Sequence, residues 1–351
     1  MEQSDWLGRF GQIGDVAIGK TEDGGGTLMN LCKGGLAIIA ALAIGAVSST
    51  AALAQTVFTW TPKPVALAPY KAPNKPHTTI ADVRAKISPA NQSKTWHQTV
   101  VSDAHLQASW VQLAVGDQSP AMFISDTRAA FIVWEGSVEF TIGSQTPFTA
   151  TKGFMVQVPA RTQFQMKNVG AVPSLHFEVF TADAKITYPQ AAATLPKPQA
   201  GMTWALTRQD PGAEALGTGN STFRDFLASP SASAFVTSPG LFVNAIRGQA
   251  FNCNPQSPTS LGHRHINYGE FWFIMEGQIS YNIEGLPFFV SEAGDIVYVP
   301  AGRWHSAANH CPGFDTRVAI NPFPTGTHNW PPTASQPNPP TPPISGKGWL
   351  D

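Results

Sequence analysis

Two stretches of this 351-residue chain follow one plan. "WEGSVEFTIGSQTPFTATKGFMVQVPARTQFQMKNVG" begins at Trp134, and "MEGQISYNIEGLPFFVSEAGDIVYVPAGRWHSAANH" begins at Met275. Setting Gly136 against Gly277 also sets Gly153 against Gly294, Pro159 against Pro300 and Asn168 against Asn309, with no gap. A constant offset over four anchors marks an internal duplication, so the fold must be one that can be built twice from similar units. Each copy alternates apolar and polar residues in short runs such as "SVEFTI" and "DIVYVP", bounded by Gly or Pro. That is the period-2 pattern of strands in an all-β barrel or sandwich. The glycines mark turns that need positive φ, and Pro159 and Pro300 stand where a strand leaves its ladder.

Composition agrees. Charged residues make up 13% of the chain, against about 25% in an average soluble protein, which leaves little room for long charge-laced helices. The 31 Gly and 30 Pro are spread over most of the length. Basic and acidic residues balance at 22 to 23 with no Lys/Arg block, so nucleic acid and an anionic membrane surface are poor candidate partners.

The first 54 residues read as a leader. From Met29, "MNLCKGGLAIIAALAIGAVSSTAALA" places Lys33 before an apolar stretch that ends in Ala52-Leu53-Ala54, the layout of a secretory signal peptide cleaved before Gln55. The acidic, Gly-rich residues before it do not suit a signal n-region, which makes Met29 a candidate start. An uncleaved anchor is the competing reading, and the sole route to a membrane. No Arg-Arg pair precedes the apolar stretch, which favours export of the unfolded chain. Secreted or periplasmic location follows. Cys32 leaves with the leader, and Cys253 and Cys311 remain either as a disulfide or as two buried thiols.

The organisation expected is a leader at 1–54, an N-terminal domain at 55–183, a linker at 184–235, a C-terminal domain at 236–320 and a Pro-rich tail at 321–351. In the linker, "STFRDFLAS" suits a short helix capped by Ser221 or Thr222. The tail is expected to be extended or loose.

The chemistry is concentrated in "GHRHINYGEFWFIMEG", residues 262–277. On a strand His263 and His265 share a face and Arg264 points away. Glu270 follows, and "GDIVYVPAGRWHSAAN" delivers His305 on another strand. Three imidazoles and a carboxylate suit a first-row transition metal with mixed N and O donors. A His-x-His pair alone would more often be a polar surface pair.

With those residues in view, the second copy resembles the cupin superfamily. The first motif is His263-x-His265, four residues, Glu270, six residues, Gly277; the second is Gly294, five residues, Pro300, x, Gly302, two residues, His305, three residues, Asn309. The glycine usual six positions before the first histidine is Ser257 here. The resemblance implies two tandem cupin barrels (double-stranded β-helix, or jelly-roll), with His263, His265, Glu270 and His305 as ligands of one divalent metal in the second. In the first copy the same positions hold Met122, Ile124, Ala129 and Phe164, all apolar. That barrel is therefore expected to be refilled as hydrophobic core, with a structural role.

Alternation from Glu270 carries Trp272 and Ile274 to the same inward face, and Tyr281 and Phe289 are further lining candidates. They read either as an apolar substrate pocket or simply as barrel core. Arg264 and Arg303 are candidates for a substrate carboxylate but better suited to the surface or to salt bridges. No basic cluster inside the barrel can be assigned. His77, His97, His105, His176, His310 and His328 are scattered and expected mostly at the surface. Among activities the resemblance implies, a dioxygenase- or oxidase-like reaction on a small, phenolic or aromatic molecule, with O₂ as co-substrate and Glu270 as a dissociable base, is favoured. A non-oxidative decarboxylase, lyase or isomerase is one alternative, and a non-catalytic ligand- or metal-binding protein another. Cu, Mn, Fe, Ni and Zn all accept this donor set. Pairing of two copies through strand exchange is a family expectation.

Overall fold

The strands fall where the duplication puts them. In a computed structural model, residues 59–190, 195–198, 200–210, 221–230, 233–250, 260–310, 312–323 and 327–332 are described. The expected leader, Cys253 and Cys311 lie outside them. Among the described residues the α-helix is the six-residue Ile80–Ala85, closed at its start by a reciprocal capping box between Thr79 and Asp82. Nearly everything else is strand and turn. No helix is long and apolar enough to cross a membrane, among the described residues.

Each repeat builds one large and one small antiparallel sheet. The first large sheet runs Phe223–Asp225, Phe154–Val158, Ala129–Glu135, Ser174–Thr181, Leu106–Leu113, Trp96–Ser102; its small companion runs Phe148–Ala150, Val138–Ile142, Phe164–Asn168. The second large sheet runs His77–Thr78, Ile296–Val299, Glu270–Glu276, Gly313–Asn321, Leu241–Ala250, Ser233–Ser238, with Phe289–Glu292, Gln278–Ile283, His305–Asn309 beside it. Gly136 and Gly277 adopt φ of 72° and 69°, and Gly153 and Gly294 φ of 93° and 97°. A Cβ on Gly277 would stand 2.1 Å from Asp315 Oδ1, so neither the conformation nor the space admits a side chain there.

Three hydrophobic layers result. Alternate residues of the central strands face opposite ways. Ala130, Ile132 and Trp134 join Phe271, Phe273 and Met275 in one core shared by the two large sheets. Ala129, Phe131 and Val133 turn into the first barrel, and Trp272 and Ile274 into the second. Strands buried on both faces carry no polar side to alternate, which explains continuous apolar runs such as "AAFIV" and "FWFIM".

Two short edge strands pair at a distance along the chain. His77–Thr78 joins the second sheet against Val297 and Ile296, where His77 meets Asp295 at 2.7 Å and stacks on Phe289. Phe223–Asp225 joins the first sheet against Phe154–Val156. The helix expected around Ser221 is therefore a strand: Phe223 stacks on Phe148 at 4.1 Å and Phe154 at 5.9 Å, and tertiary packing overrides a weak helical signal.

The first barrel is refilled as expected. Ile124, Ala129 and Phe164 are buried and Met122 packs against them. One polar feature departs from this. His176 and Glu178, on the inner face of Ser174–Thr181, are buried, their charged atoms 4.0 Å apart. Neither His176 ring nitrogen has a partner among the described residues. His176, expected at the surface, is fully enclosed because Leu175, Phe177 and Val179 take the opposite face into the shared core. Burial, with the charge of His97, pushes the His176 pKa down to about 3, and burial pushes Glu178 up to about 8.

Glu178 thus makes stability depend on pH. Its folded pKa exceeds the unfolded value of about 4.3, so the folded form binds the proton more tightly. Stability is full below about pH 4 and falls as pH rises to about 8, by up to about 5 kcal/mol. His176 acts with the opposite sense, losing stability as pH drops below about 6.5. Glu178→Gln is expected to remove the alkaline loss and raise Tm by about 10 °C at pH 8.5. Thermal melts from pH 5 to 9 check this; parallel curves for the two proteins would refute it.

Candidate metal centre

The ligand strand is positioned by backbone pairing before any side chain matters. His263 bridges to His305 through N–H···O bonds of 3.0 and 2.9 Å, and Arg264 bridges in the same way to Asn329. Gly262 adopts φ 64°, and a Cβ there would lie 2.0 Å from the His305 carbonyl oxygen. Only glycine allows this approach. Gly302 N–H donates to the His265 carbonyl at 2.7 Å, closing the loop that carries His305. Glu270 opens its strand opposite Val299.

These pairings gather all four expected ligands. One donor atom from each of His263, His265, Glu270 and His305 lies within 4.8 Å of the others. The imidazole Nε2 of His265 is 3.1 Å from Glu270 Oε2, and that of His305 is 3.4 Å away. His265, Glu270 and His305 are buried and His263 is half-buried. His265 Nδ1 donates to the Thr327 carbonyl at 3.1 Å, and His305 Nδ1 to the Arg303 carbonyl at 3.0 Å. A carbonyl only accepts, so each neutral ring carries its proton on Nδ1 and turns an Nε2 lone pair inward. His263 Nε2 is buried with no partner among the described residues.

Electrostatics favour the ligand-competent forms. Burial would raise Glu270, but when His265 and His305 are protonated their Nε2–H bonds and charge outweigh it and hold the carboxyl well below its usual range. Burial, with the neighbouring His305 and His328, holds His263 well below the usual imidazole value. Asn321 Nδ2 donates to Glu270 Oε1 at 3.4 Å, leaving Oε2 to face the rings. Three lone pairs and a carboxylate oxygen pointing at one space suit a cation there, and the donor set fits a first-row metal.

The other assigned residues fall in different places. Trp272, Ile274 and Tyr281 are buried inside the second barrel, and Phe289 packs against them with ring centroids 5.6 Å from Tyr281. Arg264 and Arg303 are not surface residues. Arg264, 1% exposed, donates to the Pro62 carbonyl at 2.6 Å and Thr61 Oγ1 at 3.2 Å. Arg303 donates to the Ala68 and Glu284 carbonyls at 2.6 Å and lies over the Tyr70 ring. Both point away from the histidines and bind residues 61–70 to this barrel. Uncapped carbonyls of an extended segment need donors, and guanidinium supplies several at once.

Sequence reasoning missed the cover. Residues 327–332, expected as an extended or loose tail, lie on the ligand strand through Asn329 and Thr327. The His328 ring stands 4.3 Å from His263, and Trp330 stands 5.3 Å from it. Tyr268 stacks on His265 at 4.4 Å. Nothing in the local pattern of "THNWPP" signals this pairing. Asn321 was findable, since alternation along Gly313–Asn321 puts it on the inward face.

The Cupin domain family matches residues 251–318. This segment is a cupin domain. No curated protein matches the chain. Among solved structures, a salicylate 1,2-dioxygenase variant from Pseudoaminobacter salicylatoxidans in complex with gentisate is 11% identical, with 70% of this chain and 81% of that one covered and a TM-score of 0.50. A cupin 2 conserved barrel domain protein from Leptotrichia buccalis is 12% identical (69% and 95% covered, TM-score 0.45), and a Bacillus subtilis oxalate decarboxylase variant is 12% identical (74% and 80%, TM-score 0.44). Such identities speak to fold alone. With the paired sheets above, the described residues are all-β and form two similar barrels, the second built around the cupin domain.

Proposed function

We propose that the protein is a metal-dependent oxidoreductase, dioxygenase- or oxidase-like, acting on a small organic molecule in the C-terminal barrel. One observation carries the metal: with both Nδ1 atoms committed to backbone carbonyls, the Nε2 lone pairs of His265 and His305 face the Glu270 carboxylate beside the unpartnered His263 Nε2. Acceptors so close repel one another unless a proton or a metal cation lies among them, and four donors converging on one space favour the metal. A divalent transition metal (Cu, Mn, Fe, Ni or Zn) supplies Lewis acidity at this place and, where redox-active, one-electron chemistry towards dioxygen. The Thr327 and Arg303 carbonyls hold two imidazoles in one tautomer, and Asn321 orients Glu270. Glu270, released from the ion, can accept a substrate proton. Trp272, Ile274, Tyr281 and Phe289 form the apolar wall that excludes water. Export through the leader and a Cys253–Cys311 disulfide belong to the same reading, supported by the leader pattern and the cysteine count, and a homodimer is what the cupin resemblance implies.

Elemental analysis of protein from its native compartment, followed by O₂-uptake assays across phenolic and carboxylic substrates, tests this. About one equivalent of a redox-active metal with substrate-dependent O₂ consumption is expected. Stoichiometric zinc, or metal with no O₂ consumption for any substrate, would replace it with the non-oxidative reading; no metal at all would leave a binding protein.

A further inference from the structure

The C-terminal barrel contains a cation that the metal site does not use. Along Gly313–Asn321, Val318 and Ile320 face the core between the large sheets, so Arg317, Ala319 and Asn321 face the barrel interior. Asn321 reaches Glu270 at one end of this row. Arg317 stands at the other end, paired in register with Ile274 and Ile246. Four residues of strand, about 13 Å, separate the two ends, and between them the row offers only the methyl of Ala319.

Arg317 has no evident structural duty. Its Nε is buried with no partner among the described residues. The Tyr281 hydroxyl, on a side chain of 0% exposure, is also buried and unpartnered. Its register with Ile274 and Ile246 turns Arg317 toward the barrel side that holds Tyr281, and it interacts electrostatically with both Tyr281 and Glu270. The Arg317 side chain is half-buried, but its enclosed Nε and the enclosed Tyr281 hydroxyl both lack a hydrogen-bond partner among the described residues, which is costly to a fold. In the first barrel the matching strand carries His176 and Glu178 instead, so the cation is peculiar to the barrel with the ligand set.

We propose that Arg317 and Tyr281 form a subsite for the carboxylate of a small organic acid whose other end lies at the His263–His265–Glu270–His305 group. The guanidinium presents paired N–H donors that match a carboxylate in geometry and charge, and the phenol adds a third donor. The location of the acid's far end rests on the proposed metal centre; the carboxylate contact does not. A neutral molecule of the same shape would leave the cation uncompensated and is discriminated against.

The test titrates the full chain, metal-free and metal-loaded, with acetate and benzoate, and with acetamide and benzamide as neutral matches, by calorimetry and tryptophan fluorescence. At least one acid is expected to bind the metal-free protein, and Arg317→Met to weaken it tenfold or more. Tyr281→Phe should cost a smaller factor, and Arg317→Lys should restore part of the loss. Arg317→Met should keep its metal equivalent and melt no lower than the parent protein without ligand. Acid binding unchanged in Arg317→Met, amides binding as well as acids, or no acid bound at all would overturn the subsite. So would a lower Tm or misfolding of Arg317→Met, either of which makes the arginine structural. If the chain takes up no metal yet binds acids through Arg317, the metal centre falls and the subsite stands.

Discussion

His305→Ala should lose metal by a factor of at least ~100 in affinity, a larger change than the 10–100-fold typical of altering a ligand's hydrogen-bond partner. The variant removes one of three inward Nε2 donors and leaves His263 and His265 on a strand that no longer faces a third imidazole. Glu270→Ala should match it, since the only anionic donor of the group is lost. Elemental analysis after mild chelation would show about one equivalent in the parent protein and a small residue in each variant. Retention of stoichiometric metal by both variants would show that the ion sits elsewhere. Backbone bonds of 3.0 and 2.9 Å hold residue 305 against 263 whatever its side chain, so the variants should keep their fold, and circular dichroism checks that they do.

Phe273→Ala should destabilise the protein by about 3–5 kcal/mol. Phe273 is fully buried, with ring centroids 5.6 Å from Trp110, 5.6 Å from Trp134 and 5.5 Å from Phe177. Those three belong to the first large sheet and Phe273 to the second, so the cavity opens in the layer both sheets share. A single cooperative transition should move down by about 10 °C, with Trp110 and Trp134 reporting the change by fluorescence. Two separated transitions, only one of them shifted, would show that the barrels unfold independently. Phe131→Ala, which empties space in the first barrel beside Phe140 and Phe164, is the control for a loss confined to one layer.

Much of the metal centre was legible in the chain. His263-x-His265, Glu270 and His305 carry their own spacing and the repeated glycines carry their own turns, because strand alternation and positive φ are local properties. The apolar replacements at Ile124, Ala129 and Phe164 likewise announced a filled first barrel. The surroundings of the site were not legible. Arg264 and Arg303 looked like surface charges since a lone arginine on a strand gives no sign of what covers it. They are buried only because residues 61–70, about 200 positions earlier, return to the second barrel. The His328 segment was unreadable for the same reason, as a Pro-rich stretch has no periodicity to show which strand it meets. His176 and Glu178 were hidden by a pattern in which both faces of the strand are inside.

Two like all-β units, and which of them keeps four candidate metal-ligand side chains, follow from residue type and from intervals of a few positions. The tertiary structure decided how the units share a core, which distant segments close over the histidines, and that Arg317 and Tyr281 stand inside the ligand-bearing barrel. Those outcomes depend on contacts between residues far apart in the chain, where burial and hydrogen-bond satisfaction, and no local propensity, choose the partner.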